Sequence, residues 1–494
     1  VLRTSLSIEL RDYSIDELIP VAKGEVEISL SDKCKAAVKS CRAYLDKRLD
    51  ESDEAIYGIN TGFGSLCDTV IEKNELQELQ ENLVKSHAAG SGPELQPEIV
   101  RLMMFLKILG LSKGYSGVRV ELLERMIEMY NQDVLPVIYE QGSLGASGDL
   151  APLAHLSLPL IGAGEVNRKG QKLPGGALEQ QFGWKALVLE SKEGIALLNG
   201  TQFMSAHGVF ILQQFSHLFD KATQIAAISI EAFQARLNPF HPSLHKIRKQ
   251  PGQEYISSKI RSFLKDSSMQ KEEVPYVQDP YTFRCIPQVL GASHDVFEQA
   301  KSVVENELNS VTDNPTIFED EDLILSGGNF HGQAIAMALD HLKLAIHELG
   351  SISERRVYKL ISGQRGLPAF LVAKPGINSG FMIPQYTAAS LVSRSKALCF
   401  PNSADTIDSS NGQEDHVSMG ANSALSCNQV LDLVYQVIAI EYLSSCQAIE
   451  FRRPSKSSLV IEEMISDLRA EVPFLQKDDV MQGHMLKALS KIKA

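Results

Sequence analysis

Residues 201–237 read TQFMSAHGVFILQQFSHLFDKATQIAAISIEAFQARL. The stretch has no proline and one glycine, Gly208, and it runs into Asn238-Pro239, a stop signal for a helix. Within it Ile225-Ala226-Ala227-Ile228-Ser229-Ile230 is apolar nearly all round a helical wheel, which predicts a helix surrounded by protein. A helix of about 35 residues is ~50 Å long at 1.5 Å per residue. Three further segments carry the same signature. One spans 287–312, with Val289, Val296, Ala300, Val303 and Val311 at helical spacing and a stop at Asp313-Asn314-Pro315. The others span 331–362 and 415–451, the last ending before Pro454. These readings predict a mainly α fold, with a bundle of long, largely buried helices over residues 201–494.

Residues 1–200 are more broken and read as a mixed, loop-rich region. Val26-Glu27-Ile28-Ser29-Leu30 alternates like a strand. Helical patterns cover 74–90, 97–110 and 117–131, and 164–176 reads as a hairpin turning at Lys169-Gly170. YGINTGFG at 57–64 is a glycine-punctuated loop.

Of the 494 residues, 44% are apolar and 22% charged, the balance of an ordinary soluble protein. The net charge of −13 argues against a nucleic-acid or anionic-membrane partner. Seven cysteines without Cys-x-x-Cys spacing argue against a disulfide framework or a zinc ribbon, and point to a reducing, cytoplasmic setting. His241 and His245 have metal-like spacing, but Pro242 lies between them and no HExxH is present, so no metal is expected. VLRTSLSIELRDYS at the N-terminus has no apolar core of signal-peptide length. No stretch reaches ~18 uninterrupted apolar residues, so no membrane span is expected.

The most unusual local sequence is EQGSLGASGDLAP at 140–152. It lacks the last glycine of a Gly-x-Ser-x-Gly elbow and the Lys-Ser/Thr of a phosphate loop. It does meet the demands of a backbone cyclisation. The attacking amide belongs to Gly148, where no Cβ obstructs close approach. The attacked carbonyl belongs to the small Ala146, and Ser147 between them carries a hydroxyl that can leave as water. The product would be a five-membered ring with an exposed C=CH2, a strong electrophile.

GSLGASGDLAPLAH at 142–155 resembles the signature of the aromatic amino acid ammonia-lyases. YGINTGFG at 57–64, NLVKSHAAGSG at 82–92, LLNGTQ at 197–202, QDPYTFRCIPQ at 278–288, SGGNFHG at 326–332 and QEDHVSMG at 413–420 resemble that family's motifs in the same order. The resemblance implies a 4-methylidene-imidazol-5-one group (MIO) made from Ala146, Ser147 and Gly148, with no external cofactor. It implies that Tyr57 is the base for the substrate β-proton, on a mobile lid. A tyrosine needs a pKa lowered from ~10 for that task. It implies that Arg284 holds the substrate carboxylate, with Tyr281 and Gln278 lining the same site. Asn199 would contact the carboxylate or the prosthetic group, and Phe330 would sit beside the electrophile. It also implies a homotetramer with shared active sites.

Substrate choice within the family rests on Ser86-His87 and on Gln413-Glu414. Phenylalanine enzymes tend to have Phe-Leu at the first pair, and phenylalanine and tyrosine enzymes carry Gln where Glu414 stands. An imidazole N–H has an acceptor in Glu414, whereas an apolar ring would leave that carboxylate buried and unpaired. L-Histidine, giving trans-urocanate and ammonia, is therefore the expected substrate. Gly412, where the family has Asn, and Thr282-Phe283, where Ser-Leu is common, depart from the pattern. Finally, Asn199-Gly200-Thr201, Asn329-Phe330-His331-Gly332 and Gln413-Glu414-Asp415 each stand at the predicted start of a long helix. If those starts converge, their free N–H groups make an electropositive site.

Overall fold

The computed structural model describes residues 3–52, 54–272 and 274–494. Among them are eighteen α-helices and nine short strands, a mainly α fold. Contacts divide the chain into two compact units, each drawn from three separated stretches. The first comprises Val1–Gln213, Lys301–Leu339 and Pro401–Leu425. The second comprises Gln214–Ala300, Asp340–Phe400 and Ser426–Ala494. The division of secondary-structure character near residue 200 is thus distinct from the division into compact units.

The four long helices form where the apolar pattern predicts them, as Gln202–Ala232, Ile286–Leu308, Gln333–Leu360 and Gly420–Ile449. Two of their ends differ most from the expectation, for physical reasons. The first stops at Ala232, before Asn238-Pro239, because Gln234 takes a left-handed φ of 52° and the Ala235 N–H donates back to the Ile230 carbonyl. That is a Schellman-type end built without the usual glycine. The last begins at Gly420 rather than 415, because a turn closed between Ser409 and Glu414 precedes it. Gly420–Arg452 is apolar and long enough to cross a bilayer by composition, yet 67% of its most apolar window is buried inside the protein.

In the first unit, Thr4–Ile8 pairs parallel with Val26–Leu30, whose alternating burial matches its alternating sequence. The hairpin Glu165–Arg168/Gln171–Pro174 turns at Lys169 and Gly170, with φ of 52° and 85°, the signs a type I′ turn requires. Helices Leu76–His87, Pro97–Leu111 and Val120–Asn131 occupy the predicted stretches. Helix Asp32–Glu51 went unread, because its apolar stripe of Cys34, Val38, Cys41 and Leu45 is diluted by lysines and arginines. Ser31 caps it, its Oγ accepting from the Cys34 N–H.

In the second unit, three long helices are tied by one buried cluster. The Arg356 guanidinium donates to both Glu441 carboxylate oxygens, at 2.5 and 2.7 Å, and the Ser229 hydroxyl donates to the same carboxylate at 2.7 Å. Both ion-pair partners are fully buried. His241 and His245 have separate tasks there: His241 caps helix Pro242–Arg248, and His245 pairs with Gln253. Replacing Glu441 by Ala strands the Arg356 charge and should lower stability by about 3–5 kcal/mol, read as a fall in the thermal or denaturant midpoint.

Candidate active site

The glycine-rich bend is pressed between two other segments of the first unit. Gly145 and Gly148 pair across it, and Ser147 and Gly148 take left-handed φ values of 51° and 79°. On one side Gly148 lies against Gly200, where a Cβ at 148 would fall 2.2 Å from the Gly200 carbonyl oxygen. The Asp149 N–H donates to that oxygen at 2.8 Å, and the Gly200 N–H donates to the Ser147 carbonyl at 3.5 Å. On the other side a Cβ at Gly145 would fall 2.1 Å from Ser418 Oγ, and the Met419 N–H donates to the Leu144 carbonyl. No larger residue fits at 145 or 148.

The helix starts do converge. A Cβ on Gly332 would lie 2.4 Å from Met204 Cε, and one on Gly420 2.1 Å from Met204 Sδ, so the first turns of three long helices meet around Met204. Asp149, buried directly after the bend, accepts from the Phe203 and Met204 amides at 3.0 Å each, and from Ser143 Oγ. Burial pushes its carboxyl up to about 7, against the pull of those donors.

Ser147 opens into a cavity of about 580 Å³ that Tyr57, His87, Asn199 and Glu414 also line. The Ser147 hydroxyl donates to Glu414 Oε1 at 3.2 Å, and Ser409 Oγ donates to Glu414 Oε2 at 3.0 Å. Two backbone hydrogen bonds between Ser409 and Glu414 close the turn that carries this carboxylate. Ser410 and Asn411 in that turn have φ near 50° and touch the Tyr57 loop: Ser410 Oγ accepts from the Ser65 N–H, and Asn411 Nδ2 donates to Ser65 Oγ. Glu414 therefore stands on a loop beside the cavity, not on the first turn of a helix. The Ser409-Ser410-Asn411-Gly412 run is a turn signal that could have shown this.

Tyr57 Oη accepts from the Gly64 N–H at 3.3 Å. Burial holds its phenol above the usual value, with the Glu414 carboxylate adding to the effect and the Gly64 bond opposing it. The lowered pKa expected of a tyrosine base is therefore not produced by its surroundings in this chain. His87 keeps Nδ1 2.9 Å from the Leu83 carbonyl, and burial lowers its pKa, with Leu83 and Glu414 opposing. Asn199 is buried and donates through Nδ2 to the Asn314 carbonyl at 2.7 Å.

The other expected residues lie elsewhere. Gln413 is exposed and Phe330 half-buried, and neither lines the Ser147 cavity. Gln278, Tyr281 and Arg284 belong to the second unit. There Arg284 and Gln278 line a separate cavity of about 360 Å³, and the Arg284 guanidinium lies 4.3 Å over the Tyr281 ring. Tyr281 is 69% exposed.

The model of the aromatic amino acid lyase family matches residues 13–470. A histidine ammonia-lyase from Myxococcus xanthus is 43% identical, covering 96% of this chain and 94% of its own. One from Alkaliphilus metalliredigens is 42% identical, covering 97% and 95%. Among solved structures, histidine ammonia-lyase from Trypanosoma cruzi superposes with a TM-score of 0.92 at 38% identity, over 99% of this chain and 93% of that one. Phenylalanine aminomutase from Pantoea agglomerans superposes with a TM-score of 0.94 at 30% identity, over 99% of each. The chain belongs to the aromatic amino acid lyase family.

The contact at Gly148 gives a direct test. Gly148→Ala should leave the tripeptide as an open peptide, so that intact mass shows no loss of water from the bend.

Proposed function

We propose that this chain eliminates ammonia from L-histidine, leaving trans-urocanate, with an MIO group made from its own Ala146, Ser147 and Gly148. The observation that carries the reading is the Glu414 carboxylate bonded to Ser147 Oγ inside a cavity shared with Tyr57 and His87. The names of the two bacterial relatives agree with it.

The tripeptide suits the group. Its backbone is already curled at Ser147 and Gly148, position 148 has no room for a side chain, and the serine hydroxyl is on the open side. Ring closure joins Gly148 N to the Ala146 carbonyl carbon. The Ala146 oxygen leaves as water with the two amide hydrogens of Ser147 and Gly148. The Ser147 hydroxyl leaves as a second water with the Cα hydrogen. The finished group supplies an electrophile for the substrate.

The remaining roles fall to ordinary side chains. Once Ser147 loses its hydroxyl, Glu414 Oε1 loses a donor and is free to accept the substrate imidazole N–H. A phenyl ring offers no such donor and would leave the carboxylate unpaired, at a cost of several kcal/mol. Ser409 and His87 keep the surroundings of Glu414 polar. Tyr57, as phenolate, removes the β-proton. Three helix starts beside the bend favour negative charge developing there. Asn199 borders the same space.

Arg284, with Tyr281 and Gln278, binds the substrate carboxylate from a neighbouring copy in a homotetramer with shared sites, while Phe330, beside the electrophile, and Gln413 complete the wall. In support, helices Gln333–Leu360 and Met382–Leu398 leave Leu344, Tyr358, Ile383 and Tyr386 about half exposed on the second unit, a surface suited to a subunit interface. Seven unpaired thiols fit a reducing, cytoplasmic setting.

Offered L-histidine, L-tyrosine and L-phenylalanine separately, the enzyme should release a conjugated, ultraviolet-absorbing acrylate from histidine alone. Product from tyrosine or phenylalanine instead would remove Glu414 and His87 as selectors. Because the Tyr57 phenol is held high, kcat should climb with pH into the alkaline range. Tyr57→Phe should lower kcat by about 10²–10⁴-fold and abolish that climb in a pH–rate profile.

A further inference from the structure

Behind the bend, away from the substrate cavity, Lys107 is buried in helix Pro97–Leu111. Its ammonium donates to the Ala196 carbonyl at 3.0 Å and to the Asn199 carbonyl at 2.6 Å. The second of these bonds matters most. The Asn199–Gly200 peptide accepts from Lys107 through its C=O, and through its N–H it donates to the Ser147 carbonyl. A cation on one end of a peptide group strengthens the donor at the other. A Lys107 cation in this arrangement would draw electrons from the Ser147 carbonyl through a single intervening peptide, whose N–H lies 3.5 Å from that carbonyl oxygen.

That carbonyl adjoins the Ser147 Cα, whose hydrogen must leave as a proton when the hydroxyl leaves. We propose that Lys107 is a positioning and polarising residue for this dehydration, acting through Asn199–Gly200, and that one buried water completes its shell. The proposal rests on the reading that Ala146-Ser147-Gly148 cyclises.

A small polar cavity is the independent observation behind the water. A cavity of about 10 Å³, room for one water, is lined by Lys107, Ser116, Gln202 and Thr312. Ser116 Oγ and Gln202 Oε1 are nine-tenths or more buried and have no partner among the described residues. If the Gln202 amide is turned over, its nitrogen becomes the orphan instead, so the cavity is polar either way. Lys107 has acceptors for two of its three N–H bonds. A water can accept the third and donate to Gln202 and Ser116. Burial holds Lys107 down at about 7, Asp313 and Asp149 favour its cation, and Lys192 opposes it.

Intact mass counts the waters lost and tests this without measuring turnover. The full chain is purified as wild type, Lys107→Met and Ser116→Ala, and maturation is followed well below each melting temperature. Wild type should lose two waters. Lys107→Met should fold yet stall, at full mass or one water short, with maturation slowed on the order of 10- to 100-fold. Ser116→Ala should slow it less, and a wild-type crystal structure should show a water bridging Ser116 and Gln202. Two waters lost from Lys107→Met at the wild-type rate would overturn the polarising role. Should Lys107→Met not fold, wild-type maturation in Ser116→Ala, or a dry cavity, overturns the proposal. No loss of water in wild type would instead overturn the cyclisation reading itself.

Discussion

The site depends on two backbones touching. Gly148 approaches Gly200 so closely that a Cβ at 148 would fall 2.2 Å from the Gly200 carbonyl oxygen, and a Cβ at 200 would fall 2.5 Å from Gln202 Oε1 and 2.7 Å from Thr312 Oγ1 on its other side. With side chains excluded, peptide groups of the two segments bond directly, Asp149 to Gly200 and Gly200 to Ser147. Such an arrangement aligns the amide and carbonyl of the bend more rigidly than side-chain contacts could. It also explains the density of charge around so small a feature. A bare backbone buried among helix starts needs fixed partners, and Asp149 satisfies two amides of the first long helix.

Two faces of the bend then take on different characters. The open face holds side chains that line the cavity: Tyr57, His87 and Glu414 around the Ser147 hydroxyl. The closed face holds groups that meet chiefly the backbone, Asp149 on the Phe203 and Met204 amides and Lys107 on the Ala196 and Asn199 carbonyls. The turn that carries the Glu414 carboxylate also touches the Tyr57 loop: Ser409 holds Glu414, and Ser410 and Asn411 bond to Ser65, so Glu414 and the Tyr57 loop are held by one turn.

Much of this was legible in the sequence, and the failures have physical causes. The long helices were readable because residues such as Ile225 to Ile230 are apolar all round. Tyr57, His87, Ser147, Asn199 and Glu414 were readable because each sits in a motif, and the structure gathers all five around one cavity. The end of the first helix was misplaced because Gln234 adopts a glycine-like φ that its type does not advertise. Glu414 was placed on a helix because an acid before an apolar run looks like a first turn. Lys107 was unreadable: a lysine in an apolar helix usually extends its amine to water. Its actual acceptors are backbone carbonyls at sequence separations of 89 and 92. Gln278, Tyr281 and Arg284 are named by motif, and they are not among the residues lining the Ser147 cavity.

The interleaving of the first unit has a consequence in time. Ser147 and Glu414 are 267 residues apart. At 5–20 residues per second, a ribosome needs roughly ten to fifty seconds to travel between them. Through that interval the bend has left the tunnel but lacks the Ser418–Met419 half of its clamp and the carboxylate that receives its hydroxyl. The chain therefore carries an inert serine while it is exposed to cellular thiols and amines. With the cyclisation proposed above, the electrophile would arise only after the walls that shelter it have been made.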